Sequence, residues 1–170
     1  MAWMFAPFSR SRVTWGLHSV PHAGETAGPE SIWGALRALG AERIGHGVRS
    51  IEDPKLVEFL VEHRIPLEVS PTSNIRLGVY PDYGAHPLPL LHGAGAIVTV
   101  NSDDPALFNT TLNDEVVLLA RPLGLGVTVI DEILLNAVRH SFLPIERRHA
   151  LEEGLVTELA SLKKIHLAGD

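Results

Sequence analysis

Two histidines, one glutamate and two aspartates stand at the polar ends of short apolar segments: His22 and Glu25, then His46, then Asp103 and Asp104. Neutral imidazole and carboxylate oxygen are donors that zinc accepts, and a catalytic zinc site keeps one position for water. A bound metal brings the pKa of that water toward about 7. A carboxylic acid and an imidazole can then move protons around an attack on an sp² carbon. Neighbouring side chains on a strand point to opposite faces, so Asp103 and Asp104 are expected to meet different atoms. Each residue alone has an ordinary explanation. A single strand-end histidine is commonly a polar loop residue, Asp103 ahead of Pro105 could cap a helix, and Ser73-Asn74 would pass as turn residues. The recurrence at successive segment ends points to a site. His18, His63, His86, His92, His140, His149 and His166 have no such context and read as structural or surface residues.

Such a set needs elements that open on one face. A first apolar segment, roughly Val13 to Val20, leads into Pro21-His22-Ala23-Gly24-Glu25. A helix is expected over 29–39, with Ile32, Ala35, Leu36 and Leu39 at helical spacing and Gly40 as its stop. Arg43-Ile44-Gly45-His46-Gly47 follows. The next helix should open with Asp53 as N-cap and Pro54 at its first position, with Leu56, Phe59, Leu60 and His63 on one face. The third segment, 66–70, runs into Pro71-Thr72-Ser73-Asn74. A long loop with Pro81, Pro87 and Pro89 comes next, then a short helix near 88–92. The fourth segment, 96–100, ends in Asn101-Ser102-Asp103-Asp104-Pro105. Beyond it, Thr111–Asp114 and Thr128–Asp131 fit capping boxes with Asp in place of Glu. The last helix, about 145–162, is expected to break near Gly154. Strands alternating with helices predict βα units and a parallel sheet, whose C-terminal strand ends share one face.

The 170 residues suit one domain with a real core. Hydrophobic residues make up 45% and charged residues 20%, a globular balance. The net charge of −6 argues against nucleic acid or an anionic membrane as partner. With no cysteine, disulfides, thiolate nucleophiles and the Cys-ligated zinc of cytidine deaminases are excluded. No apolar run approaches the roughly 20 residues that span a bilayer. The apolar start, 1–8, precedes Arg10 and Arg12, the reverse of a secretory signal, so a cytoplasmic protein is expected.

The segments His22-Ala23-Gly24-Glu25, Arg43-Ile44-Gly45-His46-Gly47, Pro71-Thr72-Ser73-Asn74 and Asn101-Ser102-Asp103-Asp104-Pro105 resemble, in order and rough spacing, those of the adenosine/adenine deaminase family. Asn136-Ala137 with Ser141-Phe142 resembles a further family segment, and the likeness covers about Leu17 to Leu143. It implies an α/β fold, part of a TIM (β/α)8 barrel with about the last four βα units plus C-terminal helices, as one domain over 1–170. It implies that His22 and Asp103 bind zinc, that Glu25 protonates the purine ring nitrogen beside the attacked carbon, and that His46 orients or deprotonates the attacking water. Asp104 would accept a hydrogen bond from the purine. The implied reaction is hydrolytic deamination of a 6-aminopurine nucleoside, adenosine to inosine and ammonia. Deamination of adenine or aminofutalosine is an alternative, and so is an inactive remnant.

The family's first strand carries a His-x-His pair that supplies two further zinc ligands, and no His-x-His occurs in this sequence. A complete barrel takes about 250 residues. The sequence therefore predicts poor zinc affinity and impaired activity unless other strands complete the barrel. Uncovered barrel edges are expected to invite self-association.

Overall fold

The computed structural model describes residues 16–167. Four short strands, β1 (His22–Ala23), β2 (Ile44–His46), β3 (Leu67–Val69) and β4 (Val98–Val100), form one parallel sheet in the order β1-β2-β3-β4. The register pairs His22 with Gly45 and Ala23 with His46, then Leu67 with both Ile44 and Val98. Sequential order with parallel pairing is the arrangement of consecutive βα units.

Each crossover is helical and begins as its sequence dictates. Helix α1 (Pro29–Leu39) has Pro29 in its first turn and ends at Gly40, which takes the left-handed conformation. It buries Ile32, Ala35 and Leu36 against the sheet side. A 3-10 turn, Val48–Glu52, leads to α2 (Pro54–Glu62), where the Asp53 side chain accepts from the Lys55 amide. On α2, Leu56, Val57 and Leu60 are buried, while Phe59 is half-buried and His63 exposed. Helix α3 (Pro71–Arg76) follows β3 directly, a helix the sequence reading did not anticipate ahead of its long loop. A 3-10 turn at Tyr83–Ala85 and helix α4 (Leu88–Gly93) complete that crossover.

After β4 come α5 (Pro105–Phe108), α6 (Leu112–Ala120), α7 (Val127–Arg139) and α8 (Ile145–His166). Thr111 and Asp114 form a true capping box on α6. Thr128 and Asp131 do not, because α7 already starts at Val127 behind Gly126. Helix α8 runs unbroken through Gly154. A glycine inside an exposed helix costs only about 1 kcal/mol relative to alanine, less than is needed to break it.

The core lies between sheet and helices: Ile32, Ile44, Leu56, Leu67, Leu88, Val98, Leu119 and Ile133 are fully buried. Each contributes roughly 1.5–3 kcal/mol by leaving water. The strand expected at 13–20 is displaced, since the first ladder residues are His22 and Ala23. Gly16 to Val20 form no strand, and Val13 to Trp15 lie outside the described residues, as do Met1 to Phe8, Arg10 and Arg12.

Candidate active site

The sheet brings His22 and His46 together because β1 and β2 are in register. Their rings meet edge to face, with centroids 4.8 Å apart. The approach depends on Gly45, directly across the ladder from His22: a Cβ there would lie 2.6 Å from His22 Cδ2. Glu25 sits on the loop after β1. Ser31 Oγ accepts from the Gly24 amide and donates to the Gly28 carbonyl, and Arg49 Nη1 donates to the Thr26 carbonyl. These bonds close the loop over β2, so the Glu25 carboxylate reaches His46, with Oε1 3.6 Å from Nε2.

From the other side, Asp103 Oδ2 comes within 3.9 Å of His46 Nε2. Asp103 also accepts a 2.7 Å hydrogen bond from Ser73 Oγ. Both His46 (φ 61°) and Asp103 (φ 56°) adopt left-handed backbone conformations, which non-glycine residues hold at a cost of roughly 1–2 kcal/mol each. Strained backbone of this kind at the ends of β2 and β4, which flank β3, with both side chains approaching one point, is typical of a functional site.

His22, Glu25 and His46 present ligand atoms within 4.8 Å of one another. Imidazole nitrogen with carboxylate oxygen suits zinc. Glu25 Oε1 is buried without a hydrogen-bond partner, and an orphaned buried oxygen is explained by a missing cation or ligand. The residues therefore fit a bound metal. Asp103 stands outside this tight group and joins it through His46 and Ser73.

The expected divergence of Asp103 and Asp104 is present, though both lie in the loop beyond β4. Asp104 Oδ1 caps α5 by accepting from the Leu107 amide at 3.0 Å, the role the sequence offered to Asp103. His22, His46 and Asp103 line a cavity of about 450 Å³ with Glu68, Ser70, Asn101, Leu112 and Ala137, and Glu25 and Asp104 are not part of its lining. A larger cleft of about 690 Å³, lined by Ile51, Val57 and Val61 among others, contains no histidine and shares no lining residue with this cavity.

Burial depresses the His46 pKa, against the opposing pull of Glu25 and Asp103, which favour the cation. Of the two readings the sequence left for His86, structural or surface, burial favours the structural one, since the residue is 3% exposed. Its Nε2 meets Asn74 Oδ1 at 3.1 Å, and Asn74 Nδ2 meets His46 Nδ1 at 3.4 Å. Burial pushes the His86 pKa down to about 4. Glu68, whose Oε1 lies 2.9 Å from Arg43 Nε, was missed as a lining residue. Its inward place on β3 was the available signal.

The sequence matches the model of the family described as adenosine deaminase over residues 3–158. The chain belongs to the adenosine deaminase family. It is 50% identical over 139 residues to an aminodeoxyfutalosine deaminase of Streptomyces avermitilis, covering 82% of this chain and 39% of that protein. It is 43% identical over 146 residues to an adenosine deaminase of Escherichia coli, covering 86% and 44%. Among solved structures, the adenine deaminase of Arthrobacter aurescens superposes with a TM-score of 0.85 at 35% identity, over 90% of this chain and 46% of that one. The chain thus spans less than half the length of the deaminases it matches, and its four strands correspond to part of a barrel. Among the described residues no helix is long and apolar enough to cross a membrane.

Proposed function

We propose that this family member forms the C-terminal part of a zinc-dependent hydrolase that removes the 6-amino group of a purine nucleoside, adenosine to inosine and ammonia. The convergence of Glu25 Oε1 and Asp103 Oδ2 on His46 Nε2, at 3.6 and 3.9 Å beside the His22 ring, carries this reading. The 43% identity to an adenosine deaminase supports the reaction type.

His22 and Asp103 would hold the metal, with two ligands drawn from outside this sequence. When bound, zinc supplies the Lewis acidity that makes water a nucleophile near neutral pH. Glu25 holds the proton for the purine ring nitrogen next to C6, and its buried, unpartnered Oε1 suits a carboxyl group reserved for a ligand. His46 orients the attacking water from Nε2. Asp104 keeps Oδ1 on the α5 amide and offers Oδ2 to the purine. The edges of the sheet at β1 and β4 are read as the seams where further barrel strands or a second copy add.

Aminodeoxyfutalosine is the second substrate reading, favoured by the 50% identity to a deaminase of that name. Ammonia release from adenosine, adenine and aminodeoxyfutalosine, measured side by side on the zinc-loaded enzyme, separates the substrates. Glu25→Gln is expected to keep the metal and lose turnover; near-normal turnover would sink the assignment of Glu25.

A further inference from the structure

We propose that His86 is a positioning residue that, acting through Asn74, fixes which ring nitrogen of His46 carries the proton. The hydrogen-bond chain starts from a group that can only donate. The Leu88 amide donates to His86 Nδ1 at 3.2 Å, so Nδ1 is an acceptor and the single proton of neutral His86 sits on Nε2. Burial keeps His86 neutral at ordinary pH, with its pKa near 4. Nε2–H then donates to the oxygen that lies 3.1 Å away, which fixes Oδ1 as the Asn74 atom facing His86. The Asn74 amide nitrogen, which only donates, is left facing His46 Nδ1 at 3.4 Å. His46 Nδ1 must therefore accept, and its proton lies on Nε2.

Nε2 is the nitrogen that faces Glu25 Oε1 and Asp103 Oδ2. His46 consequently enters the site as a hydrogen-bond donor. A nitrogen that carries a proton has no lone pair for a metal, so His46, although within reach of a metal beside His22 and Glu25, is withheld from the ligand set. The chain Leu88–His86–Asn74–His46 is buried at its three side chains, which protects its polarity from exchange with water. A flipped Asn74 would leave two donors facing each other at one end and two acceptors at the other.

The functional consequence, a donor held toward the reacting groups, rests on the deaminase reading. The tautomer does not, and it is measured without turnover. In the full chain labelled with ¹⁵N at histidine, two-bond proton–nitrogen correlation spectra report which nitrogen is protonated. His46 and His86 are both expected to carry the proton on Nε2. Asn74→Asp keeps the shape but makes both side-chain oxygens acceptors. It is expected to bring a proton onto His46 Nδ1 while His86 stays protonated on Nε2. His86→Phe should leave Asn74 free to flip and His46 as a mixture of tautomers; if that variant does not fold, the near-isosteric Asn74→Asp decides alone. A proton on His46 Nδ1 in the parent chain, or a His46 spectrum unchanged by Asn74→Asp, would overturn the proposal.

Discussion

Ser73 Oγ donates a 2.7 Å hydrogen bond to Asp103 Oδ2, joining the start of α3 to the loop beyond β4. Hydrogen bonds to an ionised acceptor are short and strong, and groups that orient metal-binding carboxylates commonly contribute 10–100-fold in affinity. Ser73→Ala is therefore expected to weaken zinc binding by about that factor, read by competition with a chromophoric chelator. Affinity equal to the parent's would remove Asp103 from the ligand set or Ser73 from its support.

Gly45 is required by space. An added Cβ would approach His22 Cδ2 to 2.6 Å, and Cγ and Nε2 to 3.2 Å. Gly45→Ala must displace the His22 ring, at a cost of roughly 1–3 kcal/mol. Urea unfolding should show that loss, together with weaker metal binding. A variant with parental stability and parental zinc affinity would mean that His22 can move without consequence.

The buried His86 makes the fold sensitive to acid. Its folded pKa is about 4 against an ordinary value of 6.5. Between those values the unfolded chain binds more protons than the folded one, so stability rises with pH. It is complete above about 6.5 and is lost as the pH falls toward 4, by on the order of 3 kcal/mol for this group. His46 and His140 are shifted in the same direction by burial, so His86→Gln should make the acid limb shallower without removing it. Parallel stability profiles for His86→Gln and the parent between pH 4 and 7 would contradict this account.

Glu115 is a fully buried carboxylate that ties α6 to α3. It accepts from the Thr72 amide at 3.1 Å and from Thr110 Oγ1 at 2.7 Å. Glu115→Ala leaves both donors unsatisfied in the interior, at about 1–3 kcal/mol each. Chemical denaturation is expected to show a loss of at least about 2 kcal/mol, with an effect on metal binding because Thr72 adjoins Ser73. A change under about 0.5 kcal/mol would show that water replaces the lost oxygens.

The sequence made plain whatever local chemistry decides. Pro29 and Gly40 bound α1 as expected, Asp53-Pro54 opens α2, and His22, Glu25, His46 and Asp103 meet as their positions after successive strands implied. What depended on tertiary packing was hidden. His86 lies in a proline-rich crossover, and only the folding of that crossover under α3 gives it a partner in Asn74. Asp104 rather than Asp103 caps α5, because the left-handed backbone at Asp103 turns its carboxylate to Ser73. The first strand was misplaced since its ladder has only two residues, too few to leave a pattern.

The proposed function makes this chain the acid and metal-binding end of a deaminase site. A chimera tests it directly: residues 17–143 replace the matching segment of the Escherichia coli adenosine deaminase, to which the chain is 43% identical over 146 residues. The folded chimera is expected to bind zinc stoichiometrically and release ammonia from one of the three 6-aminopurine substrates, and Glu25→Gln within it should keep the zinc and lose the ammonia. A folded, zinc-loaded chimera inactive on all three, or one that Glu25→Gln leaves active, would contradict the account.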